Sequence, residues 1–190
     1  MIAINNLKDL DLHNLTNLAA IREVGALETL LNLLDTEDLS CRKAALNVLK
    51  EMAWNGSLLV GVRKKQRLTL KVVQMRYHIG SLNGLNSMVG LLEDHNEDLK
   101  CLAAETLAVC MRCGELSCVK GDCHIVIERR VATNRRLVRM NGGIKKLVAL
   151  LQSSNEKLAG AGAFALMSCS KSCNLDFTGP KKAGSTQKCA

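Results

Sequence analysis

One pattern recurs three times along this chain at an almost fixed interval. Gly25-Ala26-Leu27 through Cys41 and Met52 aligns with Asn83-Gly84-Leu85 through Leu99 and Cys110, 58 residues on. That block aligns in turn with Gly142-Gly143-Ile144 through Leu158 and Cys169, a further 59 residues on. A fixed period of this kind marks repeated supersecondary units. Each is too small to bury its own apolar face and becomes stable by stacking on a neighbour.

The units read as helices. Leu99, Leu102, Ala103, Thr106, Leu107 and Cys110 fall at i, i+3, i+4, i+7, i+8 and i+11. Leu158, Ala161, Gly162, Ala165, Leu166 and Cys169 keep the same spacing, as do Cys41, Ala44, Ala45, Val48, Leu49 and Met52. This is one apolar stripe on a long α-helix, written three times. Gly160 and Gly162 cost the third copy about 1 kcal/mol each in helix propensity, and small residues there suit a close helix neighbour. A medium helix precedes each long one, at Ala26–Leu34, Gly84–Leu92 and Gly143–Leu151. Polar turns rich in Asp, Asn and Ser join the two and supply N-caps. Short helices are expected upstream, at Asn17–Val24, Met75–Leu82 and Asn134–Asn141, with Gly25, Gly84 and Gly142-Gly143 at the corners.

Composition agrees. Apolar residues make up 47% of the 190, aromatic residues 2%, and the one proline is Pro180. Such a core is built from aliphatic side chains, cysteine and methionine, which suits helix-on-helix packing, and an all-α chain is expected. Charges interrupt the longer apolar runs, so membrane insertion is not expected, and the N-terminus lacks a secretion-signal pattern. Nine cysteines is an odd count, and Cys41, Cys110 and Cys169 lie on apolar stripes, where they behave as small hydrophobes. A reducing, intracellular setting follows: the cytoplasm first, with the nucleus and the cilium as alternatives.

Two segments carry a family resemblance: IREVGALETLLNLLDTEDLSCRKAALNVL and NRRLVRMNGGIKKLVALLQSSNEKLAGAGAFALMSC. With their helix–glycine corner–helix–polar turn–helix order, they make the chain resemble the armadillo-repeat family. The resemblance implies an armadillo-like α-solenoid, a right-handed superhelix of short, medium and long helices. It places a repeat domain at 1–173, with units at about 17–53, 75–111 and 134–170, inserts at 54–74 and 112–133, and a disordered tail at 174–190. Armadillo units recur at about 40–47 residues, so each spacing here carries more than ten extra residues. Importin-type members hold basic peptides with Trp and Asn on the long helix. The matching positions here are Asn47 and Glu51, Glu105 and Val109, Phe164 and Ser168, so carriage of nuclear signals is not expected.

What the resemblance implies about function is a non-catalytic scaffold that binds a protein or extended peptide along the concave face of its long helices. The candidate contacts are Arg42, Lys43, Asn47, Lys50, Glu51, Lys100, Glu105, Met111 and Phe164. The first two units are acidic and the third basic, through Lys145, Lys146 and Lys157, which favours a partner of mixed charge. Three units are near the minimum for a solenoid and neither end shows a polar cap. Association end to end, or membership of a longer array, is therefore expected. No cofactor is expected, and no catalytic constellation of Ser, Cys, His and Asp is recognisable.

A second reading, nucleic-acid binding, rests on two features. Residues 62–76 (VRKKQRLTLKVVQMR) cluster basic side chains, although base stacking would require more aromatics than Tyr77. Cys110, Cys113, Cys118 and Cys123 have the spacing of a zinc knuckle with four thiolates. The packing reading of Cys110 is preferred, because it takes the repeat position of Met52 and Cys169, which must face the core.

Overall fold

The computed structural model describes residues 11–12, 14–54, 73–112 and 122–170, and among them every regular element is helical. In the first unit α1 spans Leu15–Glu23 and α2 spans Ala26–Asn32, the latter continued by a 3-10 turn at Leu33–Asp35. The unit's long helix, α3, spans Leu39–Ala53. Helical residues 73–81 belong to α4, followed by α5 at Gly84–Leu91 and α6 at Glu97–Met111. The third unit holds α7 at Asp122–Met140, α8 at Gly143–Leu150 and α9 at Glu156–Ser170.

The period has a visible cause. Between the first and second helix of each unit one residue turns left-handed: Gly25 (φ 69°), Asn83 (φ 63°) and Gly142 (φ 73°). These positions are equivalent in the repeat, and glycine and asparagine are the residues that reach this region most readily. Gly84, expected as a corner glycine, serves a different need. A Cβ on it would lie 2.5 Å from Leu31 Cδ2 and 2.9 Å from the Ile79 carbonyl.

Each long helix starts on an equivalent N-cap. Asp38 accepts from Ser40 N (2.7 Å) and Cys41 N (3.2 Å), Asn96 from Leu99 N (3.0 Å), and Asn155 from Lys157 N (3.1 Å) and Leu158 N (3.3 Å). A cap of this kind contributes about 1 kcal/mol.

The long helices lie side by side, with α6 between α3 and α9, and each medium helix packs on its own long helix. Their apolar stripes merge into one continuous core. It runs from Leu27, Leu30 and Leu49 through Leu85, Leu99 and Leu107 to Leu147, Leu158 and Ala165. Each fully buried leucine contributes about 1.5–3 kcal/mol. Gly162 lets α9 approach α8 closely: a Cβ there would meet Leu150 Cβ at 3.0 Å and the Leu147 carbonyl at 3.1 Å. Gly160 faces open space.

Cys110 and Cys169 are buried as expected, and Cys101 with them. Cys41 is half-buried instead, because it lies in the first turn of α3, where its thiol donates to Asp38 (3.2 Å). Of the insert expected at 112–133, residues 122–133 are helical and continue into the third unit's first helix, which gives α7 its 19 residues. Residues 55–72, 113–121 and the expected tail 174–190 lie outside the described residues.

Candidate functional site

The candidate contact residues were read from the outward faces of the long helices. The structure divides them into three groups.

The first group pairs between units. On α3, Arg42 meets Asp94 (2.6 Å), Lys43 meets Asp98 (3.0 Å) and Lys50 meets Glu105 (3.1 Å). The second unit's acids also reach forward: Glu93 meets Lys146 (2.8 Å), and Glu97 accepts from Asn155 Nδ2 (2.8 Å). The alternation of charge between units, taken from the sequence as a signature of the partner, thus serves to a large extent as a ladder across the two junctions. The carboxyl groups respond. Asp94 is held below the usual carboxylate range by the Asn96 backbone N–H and by Arg42. Asp98 is held below it by the Lys43 ammonium. These pairs remain partly exposed, so each orients its helices more than it stabilises them.

Met111 falls in a second group and is a correction. It was expected on the exposed face but is fully buried. Helix α6 is flanked by a long helix on each side and covered by α7, so even positions off its main stripe are closed to solvent. Arg135 Nε donates to the Met111 carbonyl (3.1 Å) at the same place.

The third group stays accessible. Glu51 is exposed, while Asn47, Lys100 and Phe164 are half-buried. Lys100 lines a cleft of about 340 Å3 between the second and third units, together with Glu93, Lys146 and Ser153. Phe164 belongs to a row that sequence reasoning missed. The Arg112 guanidinium lies over the Trp54 ring, 5.3 Å from its centroid, and over the Phe164 ring, 5.7 Å from its centroid. Three units contribute one side chain each. Stacking on the two rings holds the plane of the guanidinium. The available signal was register: Trp54 and Arg112 are repeat equivalents, each the first residue after a long helix.

Buried polar side chains fix this row in place. Arg76 Nε donates to the Ala53 carbonyl (2.7 Å) and its Nη1 to the Arg112 carbonyl (2.6 Å), tying the ends of α3 and α6 together. Asn134 Nδ2 donates to the carbonyls of Arg76 and Cys110, each at 3.0 Å. A Cβ on Gly80 would collide with the Asn134 amide. Arg139 caps α9 through the Cys169 carbonyl (2.8 Å). Arg76, counted from sequence within a basic patch, is thus a structural residue; the remainder of that patch up to Lys71 lies outside the described residues.

Of the four cysteines with zinc-knuckle spacing, Cys113 and Cys118 lie outside the described residues, and Cys123 lies on α7. Cys110 faces the core between α6 and its neighbours. Burial pushes its thiol up to about 12, against a smaller opposing effect of the Arg76 charge. A thiol held protonated in this way is a poor metal ligand.

No family model matches the chain. Over 55 residues it is 44% identical to the outer dynein arm-docking complex subunit 2 of Mus musculus, and equally so to that of Bos taurus. The matched stretch is 29% of this chain and 5% of each relative, so the chain spans only a small part of their length. Among solved structures, two engineered proteins align over 88% of this chain and 88% and 90% of their own, at 17% and 16% identity. Their TM-scores are 0.30 and 0.32.

Proposed function

We propose that this chain is a non-catalytic docking scaffold: three armadillo-like units stacked as a right-handed α-solenoid, holding a protein or extended peptide along the wall formed by α3, α6 and α9. The reading is carried by the row Trp54–Arg112–Phe164, in which three successive units present one side chain each to a single accessible strip. A repeated corner, a repeated N-cap and a repeated inter-unit arginine support the armadillo-like stacking. The fold orders this strip before binding, so the partner contributes most of the entropy cost of association. Arg112 offers a guanidinium to a partner carboxylate, and the two rings offer apolar area beside it.

The likeness to a dynein-arm docking subunit supports docking as the role. On this reading the partner is a subunit of such a complex, and the cilium is the compartment among those raised by the sequence that suits it. The charges of Arg42, Lys43 and Lys50 then serve stacking, and contact falls to Trp54, Arg112, Phe164, Asn47 and Glu51.

The test is capture of purified outer dynein arm-docking complex subunits by the full chain and by a Trp54→Ala/Arg112→Ala variant. Hot-spot side chains of these types carry about 1.4 kcal/mol or more each, so binding should fall at least tenfold while the helical circular-dichroism signal is kept. No capture by the native chain sinks the docking role. Equal capture by both forms sinks the assignment of the strip.

A further inference from the structure

Three ion pairs cross the first junction between units, and the repeat register says what stands at the same places in the second. Moved one unit along the chain, Arg42–Asp94 becomes Lys100 and Ser153, Lys43–Asp98 becomes Cys101 and Lys157, and Lys50–Glu105 becomes Ala108 and Phe164. Of the three cations only the first is kept, as Lys100, and opposite it the carboxylate has become a hydroxyl.

Ser153 holds the place of Asp94 in geometry as well as in register. One oxygen of Asp94, Oδ1, accepts from the Asn96 backbone N–H (2.8 Å), and the other, Oδ2, meets Arg42 (2.6 Å). Ser153 Oγ likewise accepts from the backbone N–H two residues on, that of Asn155 (3.1 Å). It reproduces the bond of Oδ1 and has no second oxygen to offer a cation. At this place lies the cleft of about 340 Å3 that Lys100 and Ser153 line together. The buried side chains Leu92, Leu150 and Leu158 give it apolar lining. Glu93 borders it too, but its carboxylate meets the Lys146 ammonium (2.8 Å), which leaves the charge of Lys100 as the net charge of the lining.

We propose that this cleft is a binding site for a carboxylate on a short aliphatic stem, of the kind that an aspartate or glutamate side chain presents. The incoming carboxylate takes the position that Asp94 holds at the first junction. One of its oxygens meets the Lys100 ammonium. The other accepts from the Ser153 hydroxyl, whose proton can turn toward it because Oγ is the acceptor in its bond to Asn155. The methylene groups of the stem lie against the leucines. A cleft of this size suits a side chain or a small acid. Lys100 is half-buried, so the affinity of a single carboxylate is modest. The site belongs to the second junction alone, because at the first Asp94 already fills the equivalent position. The inference rests on the register of the units and on the cleft, not on the docking role or the Trp54–Arg112–Phe164 strip, so either can fail without the other.

Two carboxylates probe the full chain: an Ala-Glu-Ala peptide acetylated and amidated at its ends, and free glutarate. NMR follows the Lys100 Cε–Hε groups and the Ser153 amide. Both should shift, with saturation at millimolar ligand. A capped Ala-Gln-Ala peptide, which keeps the shape and loses the charge, should bind about tenfold more weakly. Ser153→Asp supplies the missing carboxylate from within the chain and should weaken peptide binding by about tenfold; Lys100→Gln should do the same by removing the cation. Binding of the peptide as tight as that of glutarate supports the site with a partner's acidic side chain as its occupant. Tighter binding of glutarate supports it with a small free acid. The absence of a saturable shift with either carboxylate overturns the proposal, as does equal binding of the glutamine peptide, or binding that both variants leave unchanged.

Discussion

Gly84 and Gly143 look alike in sequence to Gly160, yet the structure sets them opposite tasks. A Cβ on Gly84 or Gly143 would press on a backbone carbonyl at 2.9 Å or 2.8 Å, which cannot move without shifting a helix. Gly84→Ala and Gly143→Ala should each lower stability by about 1–3 kcal/mol, the usual range for overpacking, read as a lower urea midpoint. Gly160→Ala meets nothing within 4 Å on an exposed helix surface and should raise the midpoint, by about 0.5–1 kcal/mol. His78 gives a separate, pH-dependent prediction. Burial first, and then the charges of Arg22 and Arg130, hold its imidazole below the usual 6.5. The unfolded chain therefore takes up this proton at a higher pH than the folded one. The associated stability is fully present above pH 6.5 and is lost as pH falls through the lower folded value. Melting temperature should drop between pH 7.5 and 5.5, and His78→Gln should reduce that drop; an unchanged slope in the variant would rule the histidine out.

At the level of the helix, the ladder between α3 and α6 is the feature with the clearest consequence. Arg42–Asp94 is its most sheltered rung, with both side chains less than one-fifth exposed. Arg42→Glu should destabilise the chain. Adding Asp94→Arg should recover part of the loss, with a coupling of about 0.5–1 kcal/mol in a double-mutant cycle. Because Asp94 and Asp98 are held below their usual range, their contribution is present at neutral pH and is lost as pH falls below about 4 through their folded values. Reversing Arg42, Lys43 and Lys50 together would thus test stacking before it tested binding. Sequence reading showed that these residues lie off the apolar stripe. It could not show their partners, because Asp94, Asp98 and Glu105 are 52 to 55 residues away, and one helix's periodicity carries no information about what lies opposite. Met111 was misplaced for the same reason: a position off the stripe faces solvent only on a helix packed on one side. The elements themselves were legible, since three aligned stripes, three caps and three corners each state the same helix boundaries. Asn83 was overlooked as the turning residue because the glycine beside it drew the corner to itself.

For the molecule as a whole, the order of the units sets an order of stability. In an array each unit's stability depends on its own helices and on the neighbours that cover them. Helix α6 is packed by α3 on one side and α9 on the other, and ten of its side chains are buried, against seven on α3. The medium helix α8 keeps Leu151 exposed at its end where the equivalent Leu92 is covered. Local opening therefore requires least work at the third unit's outer edge and most at the centre. Native-state hydrogen exchange should find the slowest amides between Leu99 and Met111, with α3 intermediate and α8 faster. A Gly143→Ala substitution should widen the gap by loosening the junction that holds the third unit to the second. Exchange rates equal across all three long helices, and shifted equally by that substitution, would mean that the chain opens as one block, and the description as a stack of separable units would be lost.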